Sequence, residues 1–177
     1  MTGSHSSTAV EIETRRFLLR SLTALDATEV YLSWLQDPST AQFITTAKQT
    51  KALADLRRYV LDRTDRDDVV FLGIFEKHTA RHIGNVKYEP IDSLSGRAMM
   101  GILIGDPEYR GRGVAREVLD ASAAWLKAHR AIKQIVLGVN DGNAAAISAY
   151  LRAGFVVAES DFYGPAPPGV VVMVRHL

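Results

Sequence analysis

The segment Gly101-Ile-Leu-Ile-Gly-Asp-Pro-Glu-Tyr-Arg-Gly-Arg-Gly-Val-Ala-Arg-Glu-Val-Leu119 carries more structural information than any other in this chain. Ile102, Leu103 and Ile104 form a short apolar run suited to a buried strand. Asp106-Pro107 breaks that run, because the proline ring fixes φ and removes a donor. The basic, glycine-punctuated segment Arg110-Gly-Arg-Gly-Val-Ala115 then leads straight into a helical pattern. Strand, glycine-rich turn and helix, in that order, aim unpaired N–H groups and the positive end of a helix dipole at one point. Such a point holds phosphate. Gly111 and Gly113 lack a Cβ, so an anion can reach the backbone from Gly111 through Arg112, Gly113 and Val114 to Ala115. Arg110 and Arg112 add positive charge there, unless they are simply solvated.

Two common phosphate loops are excluded. A P-loop needs Gly-x-x-x-x-Gly-Lys-Ser/Thr, which is absent, and a dinucleotide turn needs a third glycine where Arg116 stands. The dinucleotide turn also belongs early in a βαβ unit, not about a hundred residues into a chain. The string fits Arg/Gln-x-x-Gly-x-Gly/Ala as Arg110-x-x-Gly113-x-Ala115. It resembles the acetyl-CoA pyrophosphate loop of the GNAT superfamily of N-acetyltransferases. Alone, it also suits an ordinary glycine-rich βα turn.

The rest of the composition bounds the answer. A chain of 177 residues, 47% hydrophobic and 23% charged, is expected to form one domain over residues 10–177, behind a small, polar, flexible tail at 1–9 that includes His5. A net charge of +1 gives no global field for nucleic acid or a membrane surface. Cysteine is absent, which rules out a disulfide frame, a thiolate metal site and a cysteine nucleophile. His78, His82, His129 and His176 share no metal spacing, so no metal is expected. With neither a long apolar run nor a signal-peptide pattern, the expected location is cytoplasmic.

Periodicity places the remaining elements. A first strand is expected within 11–22, then a helix capped by Asp26 with Glu29 completing a capping box. Ala27, Val30, Tyr31, Trp34 and Leu35 would be its apolar face, and Asp37-Pro38 its end. A second helix is expected over 51–63, strands over 69–75 and 82–89, and a loop over 90–96. A strand over 97–104 enters the glycine turn. The helix after it would bury Ala115, Val118, Leu119, Ser122 and Leu126 and expose Arg116, Glu117, Asp120 and Lys127. A strand at 134–139, a helix at 143–152, and strands at 155–160 and 170–175 complete the chain. Strands outnumber helices and a hairpin series precedes a βαβ-like half, so the fold class is α/β (α+β) with a mixed sheet.

A second motif follows: Asn140-Asp-Gly-Asn143-Ala-Ala-Ala-Ile-Ser-Ala-Tyr150-Leu-Arg-Ala-Gly154-Phe155. From the residues alone it is a well-made helix, with Asn143 as cap and Gly154 as stop, and Tyr150 as a core or surface aromatic. It resembles the second conserved segment of GNAT enzymes, Asn-x-x-Ala/Ser-x-x-x-Tyr-x-x-x-Gly-Phe, at the family's distance from the loop. Glu13-Thr-Arg-Arg-Phe-Leu-Leu-Arg-Ser-Leu22 and Ser33-Trp-Leu-x-Asp-Pro38 are similar to the ribosomal-protein N-terminal acetyltransferases. Ile83-Gly-Asn-Val-Lys87 and Gly101-Ile-Leu-Ile-Gly-Asp106 resemble relatives that acetylate amino-sugar nucleotides.

The resemblance implies a mostly antiparallel sheet of six or seven strands with about four helices, its two central parallel strands, 99–104 and 134–139, splayed apart. It implies acetyl-CoA as co-substrate. The pantetheine would pair with Ile102, Leu103 and Ile104, and the pyrophosphate would meet the N–H groups from Gly111 to Ala115. Asn143, Ala146 and Arg152 would complete the cofactor site, although Arg152 suits a solvated surface equally well. Tyr150 matches the position whose hydroxyl protonates the departing thiolate. Ala146 stands where many relatives have serine, which leaves Tyr150 alone in that role. Glu89, sharing a strand face with Lys87, is the first choice of base, with Asp92 and Glu159 in reserve. The acceptor would be an amino sugar or another small amine, or else a peptide N-terminus. Phe43, Lys48, Arg57 and Arg58 on one side and the 163–168 loop on the other would wall its pocket. A monomer or homodimer is expected, and a non-catalytic acyl-CoA-binding module is the competing reading.

Overall fold

The β-branched and aromatic segments assemble into one sheet. The computed structural model describes residues 9–44 and 50–177, so all of the expected tail but Ala9, and Lys48, lie outside it. The strands are β1 (Glu11–Glu13), β2 (Phe17–Ser21), β3 (Val70–Glu76), β4 (His82–Asp92), β5 (Arg97–Ile104), β6 (Gln134–Asn140), β7 (Val156–Val157) and β8 (Val170–His176). The helices are α1 (Glu29–Gln36), α2 (Pro38–Ala41), α3 (Leu53–Leu61), α4 (Val114–Arg130) and α5 (Ala144–Arg152). Among the described residues the eight strands lie in the order β1-β2-β3-β4-β5-β6-β8-β7. Every neighbouring pair is antiparallel except β5 and β6. No helix among the described residues is long and apolar enough to cross a membrane.

The sheet buries both faces. Phe17, Leu19, Leu72, Val86, Tyr88, Met100, Ile135 and Leu137 pack with Val114, Val118, Leu119 and Leu126 of α4. Ser122 is buried there because its Oγ hydrogen-bonds the buried Tyr88 hydroxyl at 2.7 Å. On the opposite face Leu22, Tyr31, Leu35, Leu56 and Val60 close over Phe71 and Leu103. Farther along that face, Phe162 and Tyr163 pack on Val136, Val172 and Val174.

Several local expectations need correction. The expected first strand is a hairpin of β1 and β2, because Thr14 N–H donates to the Phe17 carbonyl at 2.8 Å and turns the chain. Glu117 is therefore not solvated: it accepts from Thr14 Oγ1, Arg16 N and Arg16 Nε at 2.7–2.8 Å, fastening the hairpin to the first turn of α4. Asp26 does not cap α1. It is held in a preceding turn by Arg20 and Thr23, while Thr28 accepts from Tyr31 N as the cap. Val30 is 59% exposed, and Leu32 takes the buried place expected of it. β4 runs through Pro90 to Asp92, since the register shift between Tyr88 and Ile91 accommodates a residue without an N–H. Only Val156–Val157 of the strand expected over 155–160 pairs, because Ser160 accepts from Tyr163 N and Gly164 N and turns the chain.

One feature of the sheet sets up the site. β5 and β6 pair at Arg97↔Gln134, Ala98↔Ile135 and Met99↔Val136 and then part. β4 stays with β5 up to Ile104, and β8 stays with β6 up to Asn140. The sheet thus opens into a V whose inner edges are Met100–Ile104 and Leu137–Asn140.

Candidate active site

The V ends at the glycine loop. After Ile104, the N–H groups of Gly105 and Asp106 both donate to the Ile83 carbonyl at 3.0 Å, which fixes where the chain leaves β5. Asp106 accepts from Glu108 N at 3.0 Å, starts the turn at Pro107–Tyr109, and pairs with Arg81 at 2.7 Å. Gly111 and Gly113 both sit at φ +71°, a region that side chains disfavour. A Cβ at either would meet nothing within 4 Å. Gly113 begins α4 with no side chain capping it. The first-turn N–H groups and the dipole of a 17-residue helix therefore face open space.

The two loop arginines behave differently. Arg110 turns back on the end of β5: Nε donates to the Ile104 carbonyl and Nη2 to the Gly105 carbonyl, both at 2.9 Å. The same Nη2 reaches the buried Thr40 Oγ1 of α2 at 3.2 Å. Its donors serve to hold β5, the loop and α2 together. Arg112 is exposed, without a partner among the described residues.

α5 rises beside the open end of β6. Asn143 Oδ1 accepts from Ala146 N at 3.2 Å and caps the helix, which leaves its amide NH₂ available. Ala146, Ile147 and Tyr150 are half-buried against the core. The Tyr150 ring rests on Phe155 at 5.8 Å, and burial pushes its phenol up to about 12. It therefore stays protonated at neutral pH and can donate. Arg152 is exposed and donates to Ser148 Oγ at 2.6 Å.

The acceptor side lies on the face away from α4. Lys87 is registered opposite Gly101, so the two share that face. Gly101 is exposed although its strand is central, and a Cβ there would meet nothing within 4 Å. This makes an open floor. On one side, Glu89 Oε2 accepts from Lys87 Nζ at 2.7 Å and Arg63 Nε at 2.8 Å, and Oε1 from Arg66 Nη1 at 2.9 Å. Burial alone would raise the Glu89 carboxyl, but the Lys87 and Arg63 bonds outweigh it and the net shift is downward. Lys87 also donates to Tyr59 Oη at 2.7 Å. On the other side Tyr163 lies so close over Gly138 that a Cβ there would meet its hydroxyl at 2.0 Å.

The other sequence candidates are more peripheral. Asp92 closes the β4–β5 turn, accepting from Leu94 N and Ser95 N. Glu159, Arg57 and Arg58 are exposed, and Phe43 is 39% exposed. Sequence reading missed Tyr59, Arg63 and Arg66; only the i, i+2 pairing of Lys87 with Glu89 hinted at them. Two hollows of about 350 and 480 Å³ lie outside the V, one beside Trp34 and His82, the other beside Arg63, Trp125 and His129. His82 belongs to a ring cluster with Phe75, Trp34 and Tyr31, and burial holds its imidazole below the usual histidine range.

Comparison with known proteins agrees with this geometry. An open V between central parallel strands, with a glycine loop and helix N-terminus at its mouth, is the layout of an acyltransferase fold. Residues 16–156 match the model of the Acetyltransferase (GNAT) domain, and the chain belongs to that family. It is 36% identical over 73 residues to the mycothiol acetyltransferase of Propionibacterium freudenreichii, covering 41% of this chain and 23% of that protein. The chain thus spans under a quarter of that relative's length. Its fold is similar to RimL, a ribosomal L7/L12 alpha-N-protein acetyltransferase, with TM-score 0.80 at 17% identity over 100% of this chain and 98% of that one. The microcin C7 self-immunity acetyltransferase MccE, solved with acetyl-CoA and AMP, gives 0.77 at 14% identity over 92% and 93%. A spermidine N-acetyltransferase SpeG chimera from Vibrio cholerae gives 0.75 at 18% over 91% and 95%.

Proposed function

We propose that residues 10–177 form an N-acetyltransferase unit that moves the acetyl group of acetyl-CoA to a primary amine. The observation that carries this reading is the parting of β5 from β6 after Met99↔Val136, with the uncapped start of α4 at the end of β5. The pantetheine arm would add to the free edge of β5 through Ile102, Leu103 and Ile104, as an extended ligand adds to a sheet edge. The pyrophosphate would take the N–H groups from Gly111 through Arg112, Gly113 and Val114 to Ala115. Asn143 would offer its amide, Ala146 would leave room beside it, and Arg152 could turn from Ser148 toward the adenosine phosphate.

In the reaction the amine lone pair attacks the thioester carbonyl, polarised by a backbone N–H near Ile104. The C–N bond forms and the C–S bond breaks; the amine gives one proton to water, and Tyr150 gives one to the departing thiolate and regains one from water. Glu89 was the first candidate for base, but three cations on one carboxylate stabilise its ionised form and weaken it in that role. The amine therefore binds as the free base, and its proton leaves to water. A small amine, such as an amino sugar, is favoured over a ribosomal-protein terminus because a net charge of +1 gives no broad electrostatic platform for ribosomal protein or RNA. The test is an acceptor screen with the purified chain and acetyl-CoA, read by mass gain of one acetyl group. Transfer to a small amine is expected; CoA binding without transfer to any amine would replace this reading with a non-catalytic acyl-CoA-binding module.

A further inference from the structure

The wall beside Gly101 holds more positive than negative charge. Lys87, Arg63 and Arg66 converge on Glu89, and Arg66 also pairs with Asp68 at 2.7 Å, so three cations meet two carboxylates. The Lys87 side chain is 24% exposed, and two of its three N–H groups are used, on Glu89 Oε2 and Tyr59 Oη. The Tyr59 and Phe71 rings lie 5.2 and 6.0 Å from its ammonium and hold the stem in place, so the charge is fixed before anything binds. Among the described residues, the carboxylates beside Phe162 and Tyr163 in the chain are Asp161 and the exposed Glu159. Phe162 and Tyr163 are uncharged, and Asp161 is already paired with Arg97 at 2.7 Å. Met99, Gly101 and Leu103, which alternate onto this face, contribute no charge.

We propose that the acceptor carries an anionic group, carboxylate or phosphate, close to its amine, and that this group seats on Lys87. This rests on the transferase reading above, since the floor at Gly101 is the acceptor site only if acetyl-CoA fills the V. The chemistry is a charge-assisted hydrogen bond from the remaining Lys87 N–H to an anionic oxygen, drawn by the excess charge of the cluster. Glu89 and Tyr59 hold the ammonium in one position beside the floor and stop it from swinging into solvent. A polycationic acceptor would meet repulsion at the same place.

The experiment compares matched amines with the full chain and acetyl-CoA: glucosamine against glucosamine 6-phosphate, glycinamide against glycine, a neutral tripeptide, and spermidine. In the wild type, at least one anionic member is expected to exceed its uncharged partner in kcat/KM by about tenfold to a hundredfold. The two pairs separate phosphate from carboxylate. In Lys87→Met that ratio collapses toward one, and in Lys87→Arg it largely returns. CoA calorimetry on each variant reports that the donor site and fold are intact. Transfer with no preference for the anionic members, a preference for spermidine or the tripeptide, or a ratio unmoved in Lys87→Met would overturn the inference and leave the transferase reading standing. A panel inert throughout, with CoA bound normally, would overturn both.

Discussion

On the function proposed above, β5 would serve two recognition surfaces, made from different parts of the same residues. Its free edge, from Met100 to Ile104, and the loop that follows present main-chain groups: N–H and C=O along the strand, then the uncapped start of α4. Its outer face presents the floor at Gly101 and, across the register, side chains gathered from α3, the turn after it, β3 and β4: Tyr59, Arg63, Phe71, Lys87 and Glu89. Main-chain recognition needs only that glycines stand where side chains would intrude, so it leaves a compact sequence signature. Side-chain recognition draws on residues as far apart as Tyr59 and Lys87, 28 positions in sequence, and leaves almost none.

The largest effect that separates the two surfaces is expected at Gly113. Gly113→Glu would place a carboxylate at the proposed pyrophosphate position, and CoA binding should fall by at least about a hundredfold in calorimetry. Because φ is +71° there, any side chain is strained, so Gly113→Ala is the control. It should lose about 1–2 kcal/mol of stability but keep CoA affinity within about threefold. Equal loss in both variants would assign the effect to the backbone.

Next in size is Tyr150→Phe, expected to lower kcat by about tenfold to a thousandfold with little change in KM for acetyl-CoA. The ring and its contact with Phe155 remain, and only the donor goes. Since burial pushes the phenol up to about 12, the wild-type rate should show no fall from this group between about pH 7 and 10.

Arg110→Met tests whether an arginine in the loop belongs to the main-chain surface. Its guanidinium holds the carbonyls of Ile104 and Gly105, so the variant should weaken acetyl-CoA and S-acetylpantetheine alike, by about threefold to tenfold. The second compound lacks the pyrophosphate. A loss confined to acetyl-CoA would show the guanidinium contacting phosphate instead.

The smallest effect is on stability. The Glu89 carboxyl is held below its ordinary value of 4.5, so the folded state binds its proton less readily than the unfolded state. Its contribution is complete above about pH 4.5 and is lost as the pH falls through the lower folded value. Glu89→Gln should cost about 1 kcal/mol at pH 7, and the difference should shrink steadily as the pH is lowered below 4.5 in denaturant titrations.

The elements that carry the proposed donor surface were legible because each is local in sequence. Gly113, Asn143 and Tyr150 lie within continuous motifs, and the helices that carry them start where expected. The bonds of Arg110 to the end of β5 and to Thr40 were not legible, because nothing local shows that these groups lie within reach of its guanidinium. Glu89 was singled out for its strand position, but Arg63 and Arg66, which pair with it, come from the connection between α3 and β3. Glu117 followed the helical pattern faithfully and was still misassigned to solvent, since the hairpin that reaches it is about a hundred residues away. Pro90 suggested a loop, and a register shift in β4 absorbed it.

Hydrogen exchange read by mass spectrometry, on the full chain with and without CoA, tests the two-surface account most directly. Bound CoA should slow exchange in peptides spanning residues 102–104 and 111–115. Peptides carrying Tyr59, Lys87 and Glu89 should be nearly unchanged until an acceptor is added. Protection of the Lys87 face with none at residues 111–115 would contradict it.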